Sequence, residues 1–134
     1  MNLFVDTSVW SLALRRDGPV AAPEVEYLKQ ALATGAGVFT TGLVLQELLQ
    51  GFAGPKNREA IIEHFVSLPF IVPQRDDHIA AAELRNVCRR AGLQIGTIDA
   101  LLARLCMVHT LVILTRDTDF ARLAGLQPLK VWRP

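Results

Sequence analysis

Residues 111–120 read LVILTRDTDF. Leu111–Leu114 is an unbroken apolar run, the pattern of a strand buried on both faces rather than one alternating between core and water. It runs at once into Thr115, Arg116 and Asp117, so a carboxylate follows the strand within three residues. The chain opens on the same plan, with a short apolar stretch at residues 2–5 (NLFV) ending at Asp6. Strands of this kind, separated by helical segments, are those of a parallel sheet with helices on both faces. In open parallel sheets, sites form beyond the carboxyl ends of the strands, which puts Asp6 and Asp117 on one edge.

Working outward from these two strands, Thr7 or Ser8 is placed to cap a helix through SVWSLALRR, and RDGPVAAP (16–23) is a loop. Pro23 suits the first turn of a second helix, EVEYLKQALA, which stops before Gly35. GVFTT (37–41) is a strand. The helix near 42–51 splits cleanly at 100° per residue, with Val44, Leu45, Leu48 and Leu49 on one side and Leu43, Gln46, Glu47 and Gln50 on the other. A helix over 56–67 and a short extended piece at 70–73 follow. Asp76 or Asp77 is placed to cap a long helix to about Ala91. Thr97 is placed to cap IDALLARLCMVH, a helix running to about His109. TRDTDF turns into a short helix to about Ala124, and LKVW (129–132) is the last strand. No repeat, linker or low-complexity tract interrupts the 134 residues, which predicts one domain.

Composition narrows the class. Half the residues are hydrophobic (51%) and a fifth charged (20%), as in a compact soluble core. No apolar run approaches the roughly 20 residues that cross a bilayer, and MNLFVDTSVW lacks the basic start of a secretory signal. Cys88 and Cys106 stand alone, without CxxC spacing, and read as buried apolar residues of a reducing cytoplasm, with a single disulfide as the alternative. The net charge of +1 conceals an asymmetry. Were Asp6, Glu47, Asp99, Asp117 and Asp119 to share one site, eight acids would remain against fourteen basic residues, about +6 elsewhere. A basic surface around an acidic pocket suits a polyanion, although mixed charges over a soluble surface account for the same count.

Each acid also has a plain structural reading. Asp6 could terminate a strand, Asp99 could answer a helix dipole, Glu47 could be a solvated helix residue, and Asp117 or Asp119 could decorate a helix start. Gathered together, however, carboxylates repel and require protonation or a cation. An all-oxygen set favours a hard ion, Mg²⁺ or Mn²⁺, over zinc. Such an ion polarises a phosphodiester and acidifies a water that attacks it, with Glu47 as one acceptor for the proton. Ser8 and Thr115 are placed to orient carboxylates. Trp10, Phe4 and Phe120 read as core. Arg85, Arg89 and Arg90 recur at helical spacing, and Arg116 and Arg122 flank the last acid. His64, His78 and His109 show no ligand spacing.

In order, the segments FVDTSVW (4–10), TTGLVLQELLQGF (40–52), IGTIDALLARLC (95–106) and LVILTRDTDF (111–120) resemble the PIN-domain superfamily and, within it, the VapC-type toxin ribonucleases of type II toxin–antitoxin systems. The resemblance spans nearly the whole chain. It implies a single PIN domain over 1–134, a three-layer α/β/α sandwich around a mainly parallel sheet, and a Mg²⁺- or Mn²⁺-dependent endoribonuclease acting through metal-activated water. Asp6, Glu47, Asp99 and Asp117 match the family's metal-binding acids, and Ser8 and Thr115 its supporting hydroxyls. The fourth position reads Asp117-Thr118-Asp119, which leaves open which of the two acids reaches the metal. The resemblance further implies a cytoplasmic homodimer held in check by a VapB-type antitoxin.

Two other α/β classes with clustered acids fit less well. A phospho-receiver expects a Lys after its late strand, where this chain has Arg116. A haloacid-type phosphatase expects Asp two residues after its nucleophilic Asp, where this chain has Ser8. A catalytically idle PIN-like domain that binds RNA or protein is the nearer rival.

Overall fold

The computed structural model describes every residue except Arg16, Pro19, Val20 and Ala53. Among the described residues, five strands and seven helices alternate as β1 (Leu3–Val5), α1 (Thr7–Ala13), α2 (Pro23–Ala33), β2 (Val38–Thr41), α3 (Gly42–Gly51), α4 (Pro55–Val66), β3 (Phe70–Ile71), α5 (Arg75–Arg90), α6 (Thr97–Val108), β4 (Val112–Leu114), α7 (Thr118–Ala124) and β5 (Lys130–Val131). The sheet has the order β3-β2-β1-β4-β5, and every pairing is parallel. Successive strand residues point to opposite faces. Leu3, Phe4 and Val5 are nonetheless all buried, so β1 is covered on both sides and the architecture is a three-layer α/β/α sandwich. The strand read from NLFV is the central one, and that read from LVIL lies beside it.

The chain builds outward from β1 to β2 and β3, then crosses to the other side of β1 to lay down β4 and β5. Strand order therefore reverses between β1 and β4, and in open α/β sheets this switch point leaves a crevice beyond the carboxyl ends. Register sets which residues face it. Leu3 pairs with Val112, Phe4 with Ile113 and Val5 with Leu114, so the next residue on each strand, Asp6 and Thr115, emerge side by side. The Asp6 amide still donates to the Leu114 carbonyl at 2.9 Å.

The core is one cluster that includes Trp10, Phe4, Phe65 and Phe120. Cys88 and Cys106 are both buried and unpaired. Three expected helix caps are corrected. Asp6, not Thr7 or Ser8, stands at the start of α1; the hydroxyls are drawn instead to nearby carboxylates, which are stronger partners because they are charged. Gln74 precedes α5, and Asp77 lies inside its first turn, its carboxylate accepting from the Gln74 amide at 2.8 Å. Gly96 precedes α6, so Thr97 is its first helical residue. Helix α1 ends at Ala13, short of the Arg15-Arg16 expected. Of the loop expected over 16–23, Arg16, Pro19 and Val20 lie outside the described residues.

Candidate active site

Asp6 sits where β1 meets α1 and is itself buried. Two hydroxyls converge on its Oδ2: Ser8 Oγ donates at 2.8 Å and Thr115 Oγ1 at 2.8 Å. The same hydroxyl oxygens are acceptors for the turn after β4. The Arg116 amide donates to Ser8 Oγ at 3.0 Å, and the Asp117 amide donates to Thr115 Oγ1 at 3.0 Å. One small network thus ties the end of β1 to the turn that carries Asp117. Asp117 caps α7 in turn, its Oδ1 accepting from the Asp119 amide at 2.9 Å.

Helix α3 brings the second acid. Its buried residues are Val44 and Leu48, and Glu47, one position from Leu48, is half-buried at the margin of that face. Thr7 Oγ1 donates to Glu47 Oε1 at 3.1 Å, across 40 residues of sequence. Helix α6 brings the third, because Asp99 lies in its first turn. Burial first, then the negative charges of Asp6, Asp117, Glu47 and Asp119 in that order, push the Asp99 carboxyl up from 3.8 to about 6. Four acids from three other parts of the chain therefore act on Asp99. Asp117 weighs more heavily on Asp99 than Asp119 does, and Asp119 is drawn to Arg122 at 3.7 Å. Behind the cluster, burial and the charge of Asp6 keep the Cys106 thiol protonated.

The donor set is all oxygen, as a hard divalent ion requires. Among the described residues, no three His, Cys, Asp or Glu side chains already stand close enough to share an ion.

Every acid singled out from the sequence, together with Ser8 and Thr115, belongs to this neighbourhood. Four participants escaped the sequence reading. Thr7 has a carboxylate partner that only the fold supplies. Glu24, mostly buried, accepts from Arg116 Nη1 at 3.1 Å across 92 residues, fixing Arg116 at the rim. Trp132 and Arg133, beyond the last strand, line a cleft shared with Thr115 and Asp117. By contrast Arg85, read as part of a basic stripe, donates to the Ile95 carbonyl at 2.8 Å and braces the turn before α6.

A parallel sheet with an oxygen-only acid cluster at its switch point defines a class, the α/β proteins built around an acidic site at the carboxyl edge. Residues 3–126 match the model of the PIN domain family. Ribonuclease VapC11 of Mycobacterium tuberculosis and VapC ribonuclease Mb1587 of Mycobacterium bovis are each 35% identical to this chain, covering 93% of it and 96% of their own lengths. The chain belongs to the PIN-domain family, among its VapC-type members. Solved structures share the fold. VapBC2 from Rickettsia felis, bound to a DNA fragment from its promoter, superposes with a TM-score of 0.76 at 20% identity over 98% of both chains. VapC20 of Mycobacterium tuberculosis, a sarcin–ricin-loop-cleaving toxin, gives 0.71 at 21% identity over 99% of this chain and 100% of its own.

Proposed function

We propose that this chain is the toxin of a VapBC-type pair, a single PIN domain that hydrolyses RNA phosphodiester bonds internally with Mg²⁺ or Mn²⁺. The observation that carries the reading is the gathering of Asp6, Glu47, Asp117 and Asp119 around Asp99, whose carboxyl is pushed up to about 6 by burial first and then by their charges. The names of the 35%-identical relatives, both ribonucleases, support it.

Asp6, Asp99, Glu47 and Asp117 would hold the ion, Asp117 rather than Asp119 because Asp119 is turned toward Arg122. When bound, the ion supplies positive charge against the scissile phosphate and acidifies a water. The chain's own groups do the rest. Ser8 and Thr115 aim Asp6 by donating to one of its oxygens, leaving the other free of those two bonds. Thr7 steadies Glu47, which accepts the proton of the attacking water. Asp99, which holds a proton below about pH 6, must release it before it can ligate. Asp119 is a supporting acid, turned toward Arg122.

A homodimer, a cytoplasmic location and restraint by a VapB-type antitoxin complete the proposal. The structural neighbour from Rickettsia felis, a VapBC complex, supports the antitoxin. Among the described residues no helix is long and apolar enough to cross a membrane. The decisive experiment incubates the purified chain with structured RNAs and Mn²⁺. Cleavage is expected from the wild type, none after EDTA, and none from Asp6→Asn, whose circular dichroism spectrum matches that of the wild type. Full activity in Asp6→Asn would refute the site.

A further inference from the structure

An acidic site repels the polyanion it must cut, so the substrate has to be held by something beside it. One such place lies at the end of the sheet. A cleft of about 260 Å³ opens between α7 and the chain after β5, and it shares Thr115 and Asp117 with the acid cluster. Its walls carry Arg116, Arg133 and Trp132. Arg116 is already committed to the mostly buried Glu24, which fixes that wall and cancels its charge. Arg133 is exposed, and no ion pair engages it among the described residues. Trp132 is half-buried. Its amide is anchored to the Ile113 carbonyl at 2.9 Å, and Tyr27 packs against its ring at 4.7 Å with the planes 31° apart. The indole is thereby held in place before any ligand arrives.

A positioned aromatic beside an unpaired guanidinium is what a single-stranded nucleotide requires. The base stacks on the ring and the backbone phosphate meets the cation. We propose that this cleft is a nucleotide subsite, in which Trp132 stacks on the base next to the scissile phosphate and Arg133 contacts the phosphate beyond it. The inference rests on the ribonuclease reading for what is bound, but it is tested separately. Trp132 and Arg133 are positioning residues here, holding the strand across Asp117 without touching the bond that breaks.

Two measurements decide it. In steady-state RNA cleavage, Trp132→Ala raises KM by about 5- to 150-fold, the range spanned by base–aromatic stacking, and Trp132→Phe recovers most of the loss. Arg133→Ala weakens binding and lowers the salt dependence by about one phosphate contact. The second measurement follows tryptophan fluorescence as a short single-stranded RNA is added to Asp99→Asn protein, so that cleavage does not intrude. Trp10 is buried in the core, so quenching reports Trp132, and it disappears when Trp132 is replaced by Phe. If the wild type cuts RNA yet Trp132→Ala and Arg133→Ala leave KM unchanged, the subsite is wrong and the nuclease stands. If the wild type cuts nothing, the nuclease reading fails, and the fluorescence titration alone decides whether RNA occupies the cleft. An RNA titration that leaves the Trp132 fluorescence unchanged would overturn the proposal.

Discussion

Replacing Asp99 by Asn should make the metal-free protein more stable while destroying its activity. In the folded chain the Asp99 carboxyl titrates at about 6 against an ordinary 3.8, because burial and then the charges of Asp6, Asp117, Glu47 and Asp119 oppose its ionisation. The unfolded chain therefore loses this proton near pH 3.8 and the folded chain only near 6. Between those values the folded state holds more protons, so stability falls as pH rises through the window and stays low above it. Two units correspond to about 3 kcal/mol as a ceiling. The site is only half-buried and water screens it, which reduces the expected cost to about 1–2 kcal/mol. Asparagine cannot ionise and escapes that cost. At pH 8 in EDTA, Asp99→Asn should melt roughly 3–8 °C above wild type, and the gap should close as pH approaches 4. Added Mn²⁺ should then reverse the order, raising the wild-type melting temperature and leaving the variant nearly unmoved, since a ligand stabilises only the state that binds it. Thermal melts across pH 4–8, with and without Mn²⁺, measure all of this. An Asp99→Asn protein no more stable than wild type at pH 8, or one stabilised equally by Mn²⁺, would refute the argument that these acids oppose one another and share an ion.

Apparent Mn²⁺ affinity of the wild type should weaken as pH falls through about 6, because Asp99 must release its proton to ligate, and calorimetry in buffers of different ionisation enthalpy should detect that proton. Thr115→Val removes a donor to Asp6 and the acceptor for the Asp117 amide. It should cost about 1–3 kcal/mol in urea unfolding and depress cleavage, whereas an undisturbed enzyme would mean the network does not aim Asp6. Asp77→Ala breaks both the bond from the Gln74 amide and the 3.1 Å contact with Arg104. It should destabilise α5 by about 0.5–2 kcal/mol without touching catalysis. Those same groups, the Gln74 amide foremost, hold the Asp77 carboxyl below its ordinary 3.8, so its contribution disappears only at strongly acid pH. Thr110 has φ of 56° in the turn after α6, where the Leu111 amide donates back to the Cys106 carbonyl at 2.8 Å. That is a glycine's place in this helix ending, and Thr110→Gly should add up to about 1 kcal/mol, read as a higher urea midpoint at unchanged slope.

Much of this molecule is local, and local features could be read directly. The apolar runs NLFV and LVIL, the prolines and glycines that bound helices, and the split faces of the segment 42–51 all depend on near neighbours. So did the expectation that Asp6 and Asp117 share an edge, since it needs only that both strands run in the same direction. The assignment of Thr7 or Ser8 as a cap failed for an equally physical reason, whereas Asp117 does cap its helix. Thr7, Ser8 and Thr97 have the right side chains for capping, but a hydroxyl chooses among all partners in reach, and for Thr7 and Ser8 the stronger partners are carboxylates. For Thr7 that partner, Glu47, lies 40 residues away.

What the order of residues determined alone was the kind of sheet and which acids stand near the ends of its strands and in its helices. Only the tertiary structure decided that they do meet. The reversal of strand order between β1 and β4 opens the crevice, the register Val5–Leu114 sets Asp6 beside Thr115, and helix packing delivers Glu47 and Asp99. The lifted Asp99 pKa, the Glu24–Arg116 brace and the cleft at Trp132 belong to that second level, because through-space electrostatics and shape depend on distances that no local pattern in a chain encodes.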